Sequence, residues 1–333
     1  MARSGAARAG LIPLNVKANT MLHITDSQVS ELLDFRGVTE VLAEAFQDLA
    51  DDKAAVHGRQ RTDCAGMKLS TMGGIWAARN VAGVKVYPTV AGQFSFAVIL
   101  FDLSTNTPVA VLDGNELTRF RTASITRMVA SRAVAPSPRK LALFGAGLQG
   151  RSQAHALCEL FRFDDICVVD PKADPAWCDR LQSLSGARVR LTTAEKAVRD
   201  ADVVITATRS SEPVFDGEWL APGAFVAAIG TSTPKGRELD DTTMSRAARI
   251  VVEWKQQSLV EAGEIVLWNQ RHLTEKYVDL PELFGGQQPW QLAQPGITVF
   301  KSVGVGLADV ATAQLVLSRV RGGWLLAADE VSA

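Results

Sequence analysis

The hexapeptide Gly145-Ala146-Gly147-Leu148-Gln149-Gly150 constrains this chain more than any other feature. It follows a short apolar run, KLALF, and opens a helical stretch, GRSQAHALCELF. In a G-x-G-x-x-G at such a junction, the first glycine permits the tight turn. The second lets a pyrophosphate approach the backbone, and the third lets helix and strand pack closely. The helix N-terminus then offers unpaired N–H groups and the positive end of its dipole to the phosphates. The next strand-like run, DICVVD, ends in Asp170, 20 residues past Gly150. An acid there accepts from ribose hydroxyls and repels a 2′-phosphate, which favours NAD (NADH) over NADP. Lys172, two residues on, softens that preference. The plainer alternative for Asp170 is a solvated turn acid before Pro171.

From Lys140 onward, apolar runs alternate with helical segments: DICVVD, ARVRL, DVVITAT, FVAAIG, RIVVE and, at 297–304, ITVFKSVG. Short runs bounded by turns and separated by helices predict a doubly wound parallel sheet, a Rossmann α/β fold. Upstream the pattern differs. Val38, Val41, Leu42 and Phe46 mark one helix face. AGVKVYPTV and FSFAVILFD are β-rich and bounded by Gly and Pro, and a turn and helix follow them. This region predicts an α+β unit with an antiparallel or mixed sheet. Pro136-Ser137-Pro138 punctuates the junction. The expected organisation is a tail over 1–20, a substrate-binding and dimerisation domain over 21–135, and a Rossmann domain over 136–305. A final amphipathic helix over 307–320 leads residues 306–333 back to complete the first domain.

Charge excludes some functions. The 333 residues carry 35 basic and 36 acidic side chains, a net charge of −1, so no basic field invites nucleic acid. A small anionic substrate needs only a few local cations. No apolar run reaches the roughly 18 residues of a membrane span. Residues 1–20 carry Arg3, Arg8 and Lys17 but no acid and no long apolar run, so they read as a loose tail rather than a secretory signal. Cys64, Cys158, Cys167 and Cys178 form no C-x-x-C pair and are expected to fill core space in a reducing, cytoplasmic protein. His23, His155 and His272 lack partners at ligand spacing, so no metal is expected. The charge-rich stretch 253–264 reads as a solvated helix face.

The segments AGVKVYP, LDGNELTRFRTAS, GAGLQG, ADVVITAT, EPVFDGEWLAPGAFVAAIG and TVFKSVGVGLADVATA occur here in that order. With them the chain resembles the ornithine cyclodeaminase/mu-crystallin superfamily from Met21 to about Val320. The resemblance implies a homodimer, with the N-terminal half and last helix forming the substrate domain around a Rossmann domain. It implies that Lys85 in AGVKVYP and Arg121 in FRTAS meet the substrate. A further arginine is Arg61 in GRQRTD, with Arg59 its close competitor. It also brings Thr206 and Ser232 to the cofactor beside the glycine loop and Asp170. The residue types suit the task, because a carboxylate held away from water wants guanidinium forks and a point charge.

One departure narrows the activity. Cyclodeaminases of this family carry an aspartate in G-x-D-x-P-G-K-x-E-L, and here that slot is Ser232. Serine is not a general base near neutral pH without an activating partner. The residue matches ketimine reductases of the mu-crystallin type, unless Ser232 simply caps or packs in its loop. The leading expectation is therefore NADH-dependent reduction of an imine of a 2-oxo acid to an amino acid. 1-Pyrroline-2-carboxylate, 1-piperideine-2-carboxylate and open-chain iminosuccinate are the candidates. A dicarboxylate needs one more cation, from His57, Arg59 or Arg79. Lys85 serves as proton donor or charge-tuner. Asp309 in GLADVATA is a second candidate acid, or merely a charge at a helix N-terminus. An ammonia lyase of the cyclodeaminase type, an alanine-type dehydrogenase and a non-catalytic crystallin-like binder are the rival readings.

Overall fold

The computed structural model describes residues 21–269, 276–286 and 296–329, with side chains described as far as 322. The tail over 1–20, His272 and residues 330–333 lie outside the described residues.

Two sheets organise the described residues. The first has seven strands: β1 (Leu22–Ile24), β2 (Ala54–Cys64), β3 (Met67–Trp76), β4 (Val81–Val90), β5 (Gln93–Phe94), β6 (Ala97–Asp102) and β7 (Thr107–Asp113). They run in the order β1-β7-β6-β4-β3-β2, with β5 added to β4. Only β1 on β7 is parallel, so the sheet is mixed. Alternation along the strands sends Met72, Trp76, Val81, Val98, Leu100 and Leu112 to one buried face. Helix α1 (Asp26–Leu32) leads to α2 (Phe35–Ala50), which begins where Asp34 accepts from the Gly37 N–H. The stripe Val38, Leu42 and Phe46 of α2 is buried, and Val41 partly so. It packs with the last helix, Gly306–Asp329, against this sheet, and helix α3 (Asn115–Ala133) packs against both of them and reaches the second sheet. The last helix is longer than the 307–320 expected, and it lies against β2, β3 and β4.

The second sheet has eight parallel strands: β8 (Lys140–Phe144), β9 (Asp165–Val169), β10 (Arg188–Leu191), β11 (Val203–Thr206), β12 (Phe225–Ala228), β13 (Ala247–Val252), β14 (Tyr277–Asp279) and β15 (Ile297–Lys301). Their order is β10-β9-β8-β11-β12-β15-β13-β14. This is the doubly wound sheet expected from the alternation. Its central strands are near-continuous apolar runs because both faces are covered. The chain leaves β8 in one direction to β9 and β10, then crosses back to β11. Beside β8 lies the switch point, outside whose carboxyl ends open α/β sheets bind ligands.

Two expectations need correction. Cys64 is exposed at the end of β2 and fills no core, whereas Cys167 and Cys178 are buried and Cys158 partly so. The stretch 253–264 is no solvated face, because Glu253, Glu261 and Glu264 are all buried. Their partners come from distant parts of the chain, as described below. Among the described residues, no helix is long and apolar enough to cross a membrane.

Candidate active site

The glycine loop leaves β8 with Gly145 at φ +86°, a left-handed conformation that favours glycine. A Cβ on Gly145 would lie 2.7 Å from the Ala207 carbonyl oxygen, and one on Gly150 would run into the carbonyl of Gly145. Both glycines therefore serve close packing. Gly147 differs: a Cβ there would meet nothing within 4 Å. It is the N-cap of helix α4 (Leu148–Cys158), and no side chain caps that end. The free N–H groups and the open space at Gly147 fit a pyrophosphate, as a dinucleotide would present it. Leu148 is exposed beside it, while Gln149 keeps a buried Oε1 without a partner among the described residues. Asp170 braces the loop, its carboxylate accepting from the N–H of Ala146 (2.7 Å) and of Lys172 (2.8 Å).

The neighbouring loops hang on a buried acid. Glu238 accepts from the Thr206 hydroxyl (2.9 Å), the Thr208 N–H and hydroxyl (2.7 Å each) and the Gly230 N–H (2.7 Å). Burial pushes the Glu238 carboxyl above its ordinary range, against the pull of Lys301 and these donors. Thr206, expected at the cofactor, is fully buried with its hydroxyl on Glu238. Behind them Lys301 Nζ donates to the Thr231 carbonyl (2.7 Å) and pairs with Glu264 (3.0 Å). This network fixes the loops after β11 and β12, including Thr231 and the partly buried Ser232.

The cations converge against these loops. Lys85 sits on the inward face of β4, almost wholly buried. Its Nζ donates to the Thr118 hydroxyl (2.6 Å) and to Asp309 Oδ1 (3.0 Å). The ring of Phe96 covers the ammonium, with its centroid 3.9 Å away. Arg121, on α3, donates through Nε to the same Asp309 Oδ1 at 3.1 Å. Burial pulls the Lys85 pKa down to about 7, helped by Arg121 and Arg59 and opposed by Asp309. Burial alone would raise the Asp309 carboxyl, but Arg121 and Lys85 outweigh it and hold it below the ordinary carboxylate range. Asp309 is therefore ionised, and its Oδ2 is buried without a partner among the described residues. That state does not suit the expected role of a second acid; it suits an acceptor.

Arg59 and Arg61 both reach the site from β2, whose register shifts between His57 and Gln60. Each pairs through Nη1 with one oxygen of Glu261. Arg59 also donates to the carbonyls of Val303 (2.7 Å) and Gly304 (3.3 Å), and its Nε is buried and unpartnered among the described residues. Arg61 donates to the Ser232 carbonyl at 3.2 Å and is more exposed, at 26% against 4% for Arg59. The 302–304 turn is itself held from behind by Glu253, which accepts from the Ser302 hydroxyl (2.6 Å) and the Val303 and Gly304 N–H groups. Gly304 lies against the Arg121 guanidinium, where a Cβ would come within 2.8 Å of it.

The structure thus brings together Lys85, Arg121, Asp309 and Arg59, with Arg61 at the outer edge near Ser232. Arg79 pairs instead with Glu44 on an exposed surface, and His57 is exposed on β2. Lys68 pairs with Asp63 at the surface, away from these groups. Sequence reasoning missed Thr118, Phe96 and Glu253 as parts of the site, and it set Glu261, which could approach the cofactor, below a solvated-face reading. The signal for Thr118 and Phe96 was only their nearness to motif residues, and for the two acids a charge density misread as solvated.

The family model for the ornithine cyclodeaminase/mu-crystallin family matches residues 19–323. Mouse ketimine reductase mu-crystallin is 34% identical over 229 residues, covering 68% of this chain and 70% of that protein. The crystal structure of a probable ornithine cyclodeaminase from Bordetella pertussis Tohama I superposes with a TM-score of 0.87 at 41% identity, covering 91% of this chain and 98% of that one. A Thermococcus litoralis Δ1-pyrroline-2-carboxylate reductase, solved with NADH and L-proline, gives 0.84 at 25% identity, covering 91% and 98%. A glycine loop at the sheet's switch point, a buried lysine that shares the Asp309 carboxylate with Arg121, and these matches lead to one assignment: the chain belongs to the ornithine cyclodeaminase/mu-crystallin family.

Proposed function

We propose that this chain is an NADH-dependent reductase that converts an imine of a 2-oxo acid to the amino acid. The observation that carries it is Lys85: buried, near neutrality, and sharing the Asp309 carboxylate with Arg121 beside the Arg59 guanidinium. The similar ketimine reductase and pyrroline-2-carboxylate reductase support this reading.

Glycine loop residues 145–150 and Asp170 would hold the dinucleotide, which would supply hydride to the imine carbon. Arg121 and Arg59, with its unpartnered Nε, grip the substrate carboxylate, and Arg61 closes the outer edge. Lys85 gives its proton to the imine nitrogen, making the carbon a better hydride acceptor. The free Oδ2 of ionised Asp309 then accepts from the protonated nitrogen and fixes its direction. Fixing the imine carbon in line contributes much of the rate gain. Ser232 offers no carboxylate for deprotonating a distal ammonium, so ring closure with loss of ammonia is not the reading adopted.

The active unit in this reading is a homodimer. Ile75, Ala82, Val84, Val86, Ile99 and Val111 share the face of the first sheet opposite its helices, and none is fully buried. Ile75 is 49% exposed. A contiguous apolar sheet face calls for a partner, and a second copy supplies a matching one. The four free cysteines support a reducing, cytoplasmic setting.

NADH oxidation with 1-pyrroline-2-carboxylate, 1-piperideine-2-carboxylate and open-chain imines tests the activity. Turnover with at least one is expected, and none with any of them ends the proposal. Ornithine releasing ammonia without net NADH change would favour the cyclodeaminase instead. Light scattering of Val84→Arg against the parent chain tests the dimer; an unchanged mass would rule out this face.

A further inference from the structure

The segment 86–97, VYPTVAGQFSFA, joins β4 to β6 and contains no charged residue. Its three rings form one cluster. Tyr87 meets Phe96 edge-on, centroids 4.9 Å apart, and Phe94 lies 5.0 Å from Phe96. Phe96 in turn covers the Lys85 ammonium. Phe94 is 52% exposed, so the cluster runs from the reacting centre to the surface.

We infer that Phe96, with Tyr87 and Phe94, reads the substrate's side chain, and that the site takes imines with apolar or aromatic side chains in preference to dicarboxylic ones. This rests on the imine-reductase reading above. A nitrogen accepting the Lys85 proton lies about 3 Å from Nζ. Substituents one or two bonds away are then brought to the Phe96 ring. The π face of a ring carries negative electrostatic potential, which attracts the lysine cation and repels a carboxylate. A second carboxylate would also need its own cation. In this reading Arg121 and Arg59 are committed to the first carboxylate and Lys85 to the imine nitrogen, while Arg61 is paired with Glu261 and donates to the Ser232 carbonyl. The other candidates do not help, since Arg79 is engaged with Glu44 and His57 sits opposite Gly73 on the outward side of β2. An apolar side chain meets none of these penalties and covers the exposed Phe94 ring.

The test is kcat/KM for NADH-dependent reduction of imines formed from methylamine with phenylpyruvate, pyruvate and oxaloacetate. The phenylpyruvate imine is expected to exceed the oxaloacetate imine by at least about tenfold. Phe96→Ala, and separately the more exposed Phe94→Ala, should lower the phenylpyruvate-to-pyruvate ratio, by about three- to tenfold for Phe96. A preference for the oxaloacetate imine, or a ratio unmoved in both variants, overturns the inference while leaving the reductase standing. Absence of turnover with every imine, cyclic ones included, sinks the reductase reading and this inference with it.

Discussion

The two halves of the site are made in opposite ways. The dinucleotide loop is built from backbone: three glycines, a helix N-terminus without a side-chain cap and one bracing acid, all within 26 residues from Gly145 to Asp170. The cation cluster is built from side chains on β2, β4, α3 and the last helix, with Glu261 reaching in from the helix Lys255–Glu261. A backbone site tolerates changes that leave its conformation alone. A buried side-chain cluster does not, because removing one ion strands another.

The largest effect that should separate the halves is at Lys85. Lys85→Met is expected to lower kcat/KM by about 10² to 10⁴ while fluorescence titration shows NADH affinity unchanged. Equal losses in both would show that the halves are not independent. Next come two glycines. Gly150→Ala would drive a methyl into the Gly145 carbonyl and should destabilise the fold by about 1–3 kcal/mol in denaturant titrations. Gly147→Ala should leave stability nearly unchanged yet weaken NADH binding about tenfold, since the new methyl points where a pyrophosphate would approach. Matching stability losses for the two would erase their difference.

A pH profile sharpens the same contrast. With the Lys85 pKa near 7, turnover should fall as pH rises through about 7 and the proton to be donated is lost. Stability moves the other way. In the unfolded chain the lysine holds its proton to about pH 10.4, so between about pH 7 and 10 the unfolded state binds more protons. The residue's contribution to stability therefore rises across that window, and Lys85→Met should flatten both curves. The smallest effect is at Asp170. Asp170→Asn should improve NADPH use relative to NADH by a few-fold, measured as the kcat/KM ratio. No change would mean that Asp170 only braces the loop.

Legibility followed the same division. The glycine loop could be read because turn, close packing and phosphate approach are local requirements of consecutive residues. The parallel sheet could be read because its strands are buried on both faces and so uniformly apolar. Lys85 and Arg121 came from motif resemblance, but their shared counterion did not, since Asp309 stands equally well as a helix-terminal charge until the helix is placed. Arg59 and Arg61 could not be ordered, because the irregular β2 register turns both toward the site. The acids in 253–264 were misread for a physical reason. Most acidic residues are solvated, and the cations that bury these come from as far as 202 residues away, as Arg59 does for Glu261.

The last helix gives the site a history as well as a shape. Asp309 follows Lys85 by 224 residues, so a chain being synthesised makes the lysine long before its counterion. Until the C-terminal helix emerges, the first sheet must either leave that strand unpacked or bury an unpaired ammonium. Completion of the first half therefore waits until the last helix has been made. A chain cut before the last helix would contain the whole dinucleotide sheet, yet its other half could not close.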